Sequence, residues 1–428
     1  MGGRTLLVTL PPASPVSTIV ISAAPALERT AVAAPRIDAV DLLRGIVMVL
    51  MVLDHTREFF HSGVWLFDPT DPARTTPLVF FTRWITHFCA PIFVLLAGVG
   101  VALQRGRGAS PGEISRFLWT RGLWLIVLEV TVVRFGLTFN LDYSDFGALQ
   151  VIWALGVSMI VLAALIHLPT WAVAGFGVAM ILLHNTLDGF GVPFGPGAPP
   201  PTALQQLWLV LHQPGPITVL GTPGFVLYPL IPWIGVMAVG YALGGVYGWE
   251  AERRRRFLVR LGVAITVGFL ALRALNVYGD PRPWSVQPRG AVYTALSFLN
   301  LNKYPPSLLF LLMTLGPALI ALAAMERSGR GPLARALVVF GRVPLFFYLL
   351  QWIVAHGLAV LAGYAVGQPV AWQFQNFPER FANPPVGTGF GMGVVYAAWL
   401  LSIALLYPLC VWFAGVKRRR TEWWLRYL

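Results

Sequence analysis

Charge is scarce in this sequence: 11% of the 428 residues are charged, 18 of them acidic, against 57% hydrophobic residues that include 16 Trp and 27 Phe. So little charge excludes a chain that lives in water, and so many aromatics exclude disorder. Cysteine is nearly absent. Cys89 and Cys410 both fall inside apolar segments, which excludes a disulfide scaffold and leaves them as packing residues. Phosphate loops, nucleophile elbows and the paired-histidine spacing of zinc proteases are also missing, so no metal is expected. The net charge of +13 hints at nucleic acid, but the basic residues stand in short clusters between apolar runs. Membrane topology explains that distribution better, and no nucleic-acid partner is expected.

What is present is apolar sequence enough for about ten membrane spans, at about 20 residues each. Hydropathy places them near 39–60, 79–103, 116–138, 147–167, 170–187, 224–247, 257–275, 305–325, 337–365 and 388–414. Alternate loops then hold the basic clusters: Arg105, Arg107, Arg116 and Arg121; Arg253 to Arg256 with Arg260; Arg327, Arg330, Arg335 and Arg342; and Lys417 to Arg420. The opposite loops are poorer in Lys and Arg. The fold class expected is therefore all-α, a polytopic integral membrane protein with both termini cytoplasmic. Residues 1–35, rich in Pro, Ala, Ser and Thr, read as a disordered cytoplasmic extension. A membrane domain over 36–415 follows, then a basic cytoplasmic tail over 416–428.

Ionisable groups inside apolar spans cost several kcal/mol unless they face a cavity or a partner. The first helix holds the densest set: Asp41, Arg44, Asp54, His55, Arg57 and Glu58. Arg44 and His55 are eleven residues apart, which returns to within roughly 20° of one face across an axial gap of about 16 Å. Met48, Met51 and Glu58 share that stripe. The geometry suits a thioester donor entering from the cytoplasm, with phosphates held by Arg44 and the basic loops and the acyl carbon carried up to His55. It suits equally an arginine that snorkels to the headgroups and a histidine bonded to a neighbouring helix. Asp54 has Arg57 and His61 as alternative partners, and His61 is read as interfacial. His87, just before Cys89-Ala90-Pro91, approaches from the same outer side as His55. Glu129 needs a partner that Arg134 is poorly spaced to supply, and the first helix is the candidate. His167, His184 and His212 sit at helix ends or loops, as interfacial histidines do, whereas His356 lies inside a span.

The run Arg36-Ile37-Asp38-Ala39-Val40-Asp41-Leu42-Leu43-Arg44-Gly45, followed by Asp54-His55-Thr56-Arg57, resembles the opening helix of bacterial membrane proteins related to the catalytic domain of heparan-alpha-glucosaminide N-acetyltransferase. Arginine, ten residues, then histidine is also similar to the first-helix signature of the wider transmembrane acyltransferase superfamily. Arg121-Gly122-Leu123-Trp124 through Glu129 and Arg134-Phe135, Tyr228-Pro229-Leu230-Ile231-Pro232-Trp233, Lys303-Tyr304-Pro305-Pro306-Ser307 and Gly341-Arg342-Val343-Pro344-Leu345 agree with that group. The likeness runs from about 36 to 415.

The resemblance implies a multi-pass protein of the bacterial inner membrane that moves an acyl group from cytoplasmic acyl-coenzyme A, acetyl-coenzyme A first among them, to a carbohydrate-like acceptor outside. An oligomer is compatible with it. His55 is then the catalytic base or acyl carrier, with Asp54 and His87 orienting it or relaying protons. Arg44, Arg121 and Arg342 hold the donor, and Asp41, Glu129, His356 and His61 support the site. Trp65, Trp84, Trp208, Trp284 and Trp372 are expected to stack on sugar rings. The chain departs from the family at Gln351, where members often carry histidine. A transporter or lipid-handling channel, with the buried ions as a proton relay, is the rival reading.

Overall fold

The computed structural model describes residues 38–428 apart from 196, 328–330 and 384. The expected N-terminal extension and Arg330 lie outside the described residues. The rest is mostly helix. In chain order the helices are α1 (Asp38–Phe60), α2 (Pro77–Ile85), α3 (Cys89–Gly106), α4 (Pro111–Leu128), α5 (Arg134–Thr138), α6 (Val151–Leu165), α7 (Thr170–Leu183), α8 (Ala203–Leu211), α9 (Trp233–Gly244), α10 (Ala251–Leu275), α11 (Ala291–Leu299), α12 (Leu308–Met325), α13 (Pro332–Arg342), α14 (Pro344–Ala365), α15 (Phe377–Ala382) and α16 (Met392–Arg419). Their starts carry local chemistry that satisfies the free N–H groups of a first turn. Ser110 and Glu113 form a reciprocal capping box at α4, and Ser307 Oγ accepts from Phe310 N–H at α12.

Among the described residues, six helical segments are long and apolar enough to cross a membrane: Pro77–Gly106, Thr170–Leu187, Ala251–Leu275, Leu308–Met325, Pro344–Ala365 and Met392–Arg419. Two further apolar segments, Val151–Leu165 and Trp233–Gly248, are shorter. Helices α1 and α4 have the length of spans but carry the ionisable residues. The outer faces of α10 and α16 expose Val263, Val267 and Leu270, and Leu400, Leu401 and Leu405, the composition a helix turns to lipid.

Two sequence expectations need correction. The span expected over 224–247 begins only at Trp233, because residues 215–226 form a hairpin of β2 (Gly215–Val219) and β3 (Thr222–Val226), joined by β1 (Ala148–Leu149). β2 runs antiparallel to β3 and β1 parallel to it. The hairpin turn places Leu220 and Gly221 at φ 50 and 83, a conformation that glycine accepts at no steric cost. The expected span 337–365 is two helices, because Pro344 cannot continue the hydrogen bonding of α13 and instead opens α14 at its first turn.

The site rests on the way α1 is packed. It lies against α3, α12, α13, α14 and α16. Along α13 the approach is backbone to backbone: a Cβ on Gly45 would overlap the carbonyl of Leu337, and one on Gly341 would overlap the carbonyl of Asp41. That contact brings the Gly341 carbonyl within 3.2 Å of the Arg44 guanidinium.

Candidate active site

A cavity of about 330 Å³ runs beside α1. Arg44, Met48, Met51 and His55 all line it, at the spacing of one helical face. At the Arg44 end the wall includes Gln104, Arg121, Lys417 and Arg426; at the His55 end it includes Asp54, Tyr228 and Lys303. Between them the lining is apolar, with Phe93, Leu96, Leu118, Leu125, Leu155 and Leu345. Eleven helical residues separate the two ends by about 16 Å. The shape is a cationic mouth, an apolar channel and a polar far end.

His55 is held by a helix distant in sequence. Its Nδ1 lies 2.8 Å from Gln351 Oε1 on α14, and its ring stacks on Trp352 at 3.7 Å between centroids. An amide oxygen only accepts, so Nδ1 carries the proton and Nε2 presents its lone pair. Gln351 is fully buried, and its Nε2 has no hydrogen-bond partner among the described residues. In the sequence Gln351 stands only as a departure from the family pattern. What could have flagged it is the cost of an uncharged but strongly polar amide in an apolar span.

Asp54 turns to other partners. Its Oδ1 accepts from Arg57 at 3.1 Å, its Oδ2 accepts from Arg83, and Lys303 Nζ is 4.0 Å away. Three cations from α1, α2 and the 300–307 loop thus surround one carboxylate. The Arg57 alternative for Asp54 holds and the His61 alternative does not. Beside them burial alone would raise the Tyr304 phenol, yet Lys303 and Arg83 keep it below its usual value. The far end of the cavity is net cationic.

The other expected residues are placed as follows. Arg44 donates to Asp41 at 3.0 Å and Arg121 to the Arg426 carbonyl, both on the cavity wall. Arg342 stands outside the lining and reaches Asp38 at 3.4 Å and Asp41 at 3.9 Å. His87 is buried against Phe310, behind the wall to which Thr86 and Cys89 contribute. His61 pairs with Phe390 in a β-bridge and accepts from Gly63 N–H at 3.3 Å, away from the cavity. His356 sits between Phe59 and Phe139 and bonds the Gly136 carbonyl at 2.9 Å, a packing role. Among the described residues Glu129 makes no hydrogen bond or ion pair with α1. It occupies a π-helical turn between α4 and α5, and its Oε2 accepts from Trp153 N–H at 2.9 Å at the start of α6, beside the cavity-lining Gln150 to Ile152. None of the five tryptophans expected to stack on sugar lines the cavity among the described residues. Trp84, Trp208 and Trp284 instead donate to Met313, the Phe190 carbonyl and the Arg273 carbonyl, and Trp372 stacks under Arg380.

Residues that the sequence reading left out complete the mouth. The chain end is folded: α16 continues to Arg419, a short 3₁₀ turn covers Trp423–Tyr427, and Leu425 is buried. Tyr427 is hydrogen-bonded to Thr120 at 2.7 Å, which brings Arg426 and Leu428 to the cavity. Among the described residues, one group of metal-capable side chains also assembles elsewhere, His184, Asp188 and His212, although no metal signature was read in the sequence.

A helical bundle with membrane-length apolar segments and an internal cavity, cationic at its mouth and holding an oriented imidazole at its far end, defines a membrane protein with a buried polar site. Residues 36–279 match the family described as heparan-alpha-glucosaminide N-acetyltransferase, catalytic, more than half of the chain, and the chain belongs to that family. No curated protein matches it. Lys303, which lines the cavity, and Gln351, which holds His55, lie beyond the matched region.

Proposed function

We propose that the protein transfers an acyl group, acetyl first, from cytoplasmic acyl-coenzyme A to a carbohydrate-like acceptor on the outer side of the bacterial inner membrane. The observation that carries the reading is the single cavity-lining stripe from Arg44 to His55. Arg44, Arg121, Lys417 and Arg426 form a phosphate-binding mouth by charge and hydrogen bonding. The apolar channel takes the pantetheine arm, and its volume lies within the range of about 300–1,000 Å³ usual for ligand sites.

At the far end an acceptor hydroxyl or amine attacks the thioester carbonyl carbon. His55 Nε2 takes the acceptor proton, the carbon–sulfur bond breaks, and the departing thiolate takes that proton to leave as free coenzyme A. Lys303 sits where it can stabilise negative charge developing on the carbonyl oxygen. Gln351 positions the imidazole and sets its tautomer. The Asp54 cluster fixes α1 against α2 and the 300–307 loop, so Asp54 acts on the geometry of the site.

Ten passes with both termini cytoplasmic suit this chemistry, with α1, α4, α6 and α9 joining the six longer segments. Contacts between the basic loops support one common side: Arg254 pairs with Glu326 at 2.8 Å, Arg327 with Glu252 at 3.4 Å and Arg342 with Asp38 at 3.4 Å. At the other end Arg289 donates to the Thr75 carbonyl at 2.9 Å and Asn300 to the Thr70 carbonyl at 2.9 Å. The test is vesicle-reconstituted protein with acetyl-coenzyme A on one face and an amino sugar on the other. Acetylated sugar in the acceptor compartment supports transfer across the bilayer; product confined to the donor compartment refutes the sidedness, and no product with any acyl donor refutes the function.

A further inference from the structure

His184, Asp188 and His212 converge at the end of α7, where the chain leaves Thr170–Leu187 for the loop that carries α8 and the hairpin. One ligand atom from each lies within 4.8 Å of the other two. His184 is 2% exposed and His212 3%, and among the described residues neither ring nitrogen of His184 nor His212 Nδ1 has a hydrogen-bond partner. A buried imidazole without any partner forfeits its hydration for nothing, unless something else takes its lone pair.

The surroundings are arranged as an outer shell around a metal would be. Asp188 Oδ1 lies 3.1 Å from His212 Nε2, while its Oδ2 accepts from Asn185 Nδ2 at 2.8 Å. Asn185 is itself held, its Oδ1 accepting from the Leu308 N–H at 2.8 Å. The carboxylate is therefore anchored through a second residue to the start of α12. Its side chain is 23% exposed, which gives a path from solvent and room for a water. Ligands about 2.0–2.1 Å from a tetrahedral ion lie roughly 3.3 Å apart, so the His212–Asp188 edge is already at ligand spacing and His184 needs a small inward turn.

We propose that these three residues bind one divalent first-row cation, zinc foremost, with water at the fourth position. Two imidazoles and one carboxylate are a zinc ligand set with one open place. The ion would clip α8 and the hairpin onto the end of α7, joining residues 24 positions apart in sequence. This inference is independent of the acyl-transfer reading.

The test uses full-length protein in detergent, stripped with chelator, re-equilibrated with buffered micromolar Zn²⁺ and freed of excess. Metal per chain is counted by mass spectrometry, and Co²⁺ replacement is followed by its visible absorption. Expected are about one zinc per chain, a tetrahedral cobalt spectrum and a zinc-dependent rise in melting temperature. All three should be lost in Asp188→Asn and His212→Ala and kept in the control His167→Ala. Asp188→Asn preserves shape, so a well-folded variant that binds no zinc separates ligation from misfolding. Wild-type protein without retained zinc, leaving only a hydrogen-bonded His–Asp pair, overturns the proposal, and so does an unchanged zinc count in the folded variants.

Discussion

Replacing Gln351 by leucine keeps the volume of the side chain and removes the acceptor that holds His55 Nδ1 at 2.8 Å. The Trp352 stack at 3.7 Å remains, so the ring stays in place while its proton is free to sit on either nitrogen. The buried N–H loses its partner, a cost of about 1–3 kcal/mol, which corresponds to a fall in kcat of roughly 5- to 150-fold if it is borne in the transition state. Gln351 does not line the cavity, so KM for the donor should stay within about twofold. Gln351→Glu, which can still accept from Nδ1–H, should recover most of the rate. The assay is steady-state release of free thiol from acetyl-coenzyme A by reconstituted protein, with melting temperature recorded in parallel. An undiminished kcat in the folded leucine variant, or a loss confined to KM, would refute the positioning role.

Arg44→Ala should raise KM for the donor about tenfold with a much smaller change in kcat, because a charged hydrogen bond to phosphate is lost far from the reacting atoms; donor titration checks it. Asp54→Ala leaves Arg57, Arg83 and Lys303 without their common carboxylate and should destabilise the protein by about 3–5 kcal/mol, read as a lowered melting temperature. Gly341→Val drives a side chain into the Asp41 carbonyl, so it should cost more than about 3 kcal/mol and abolish monodisperse protein on size exclusion. Outside the membrane segments, the Ser144 N–H and hydroxyl hold the Asp142 carboxyl below its usual value of 3.8. Its contribution to stability is therefore present above that pH and lost as pH falls through the lower folded value, and Asp142→Asn should flatten melting temperature against pH in that acid range.

The cavity-lining face of α1 was legible in the sequence because Arg44, Met48, Met51 and His55 need only helical periodicity to be placed on one side. The partners of that face were not. Gln351 is 296 residues from His55 and Lys303 lies in an irregular loop, so nothing local ties either to the first helix. Asp54 shows the same limit: its neighbour Arg57 could be proposed from spacing, while Arg83 arrives only through packing of α2. The folded chain end is hard to read locally because a basic run after a span reads as a solvated tail, although Trp423, Trp424 and Tyr427 have the composition of an anchored segment. Gly45 and Gly341 carry no local signal, because what requires a glycine there is the backbone contact between α1 and α13. His184, Asp188 and His212 eluded motif reading because the third residue comes from a separate helix end.

Whether His55 activates an acyl acceptor at the end of a donor channel is decided with radiolabelled acetyl-coenzyme A and purified protein in liposomes. Wild-type protein, His55→Ala and Arg44→Ala are compared for thioester hydrolysis, coenzyme A release and label carried to an amino sugar. Expected are turnover by wild type, loss of at least about a hundredfold in kcat with His55→Ala at unchanged donor affinity, and weakened donor binding with Arg44→Ala. Full transfer by a folded His55→Ala protein would contradict it.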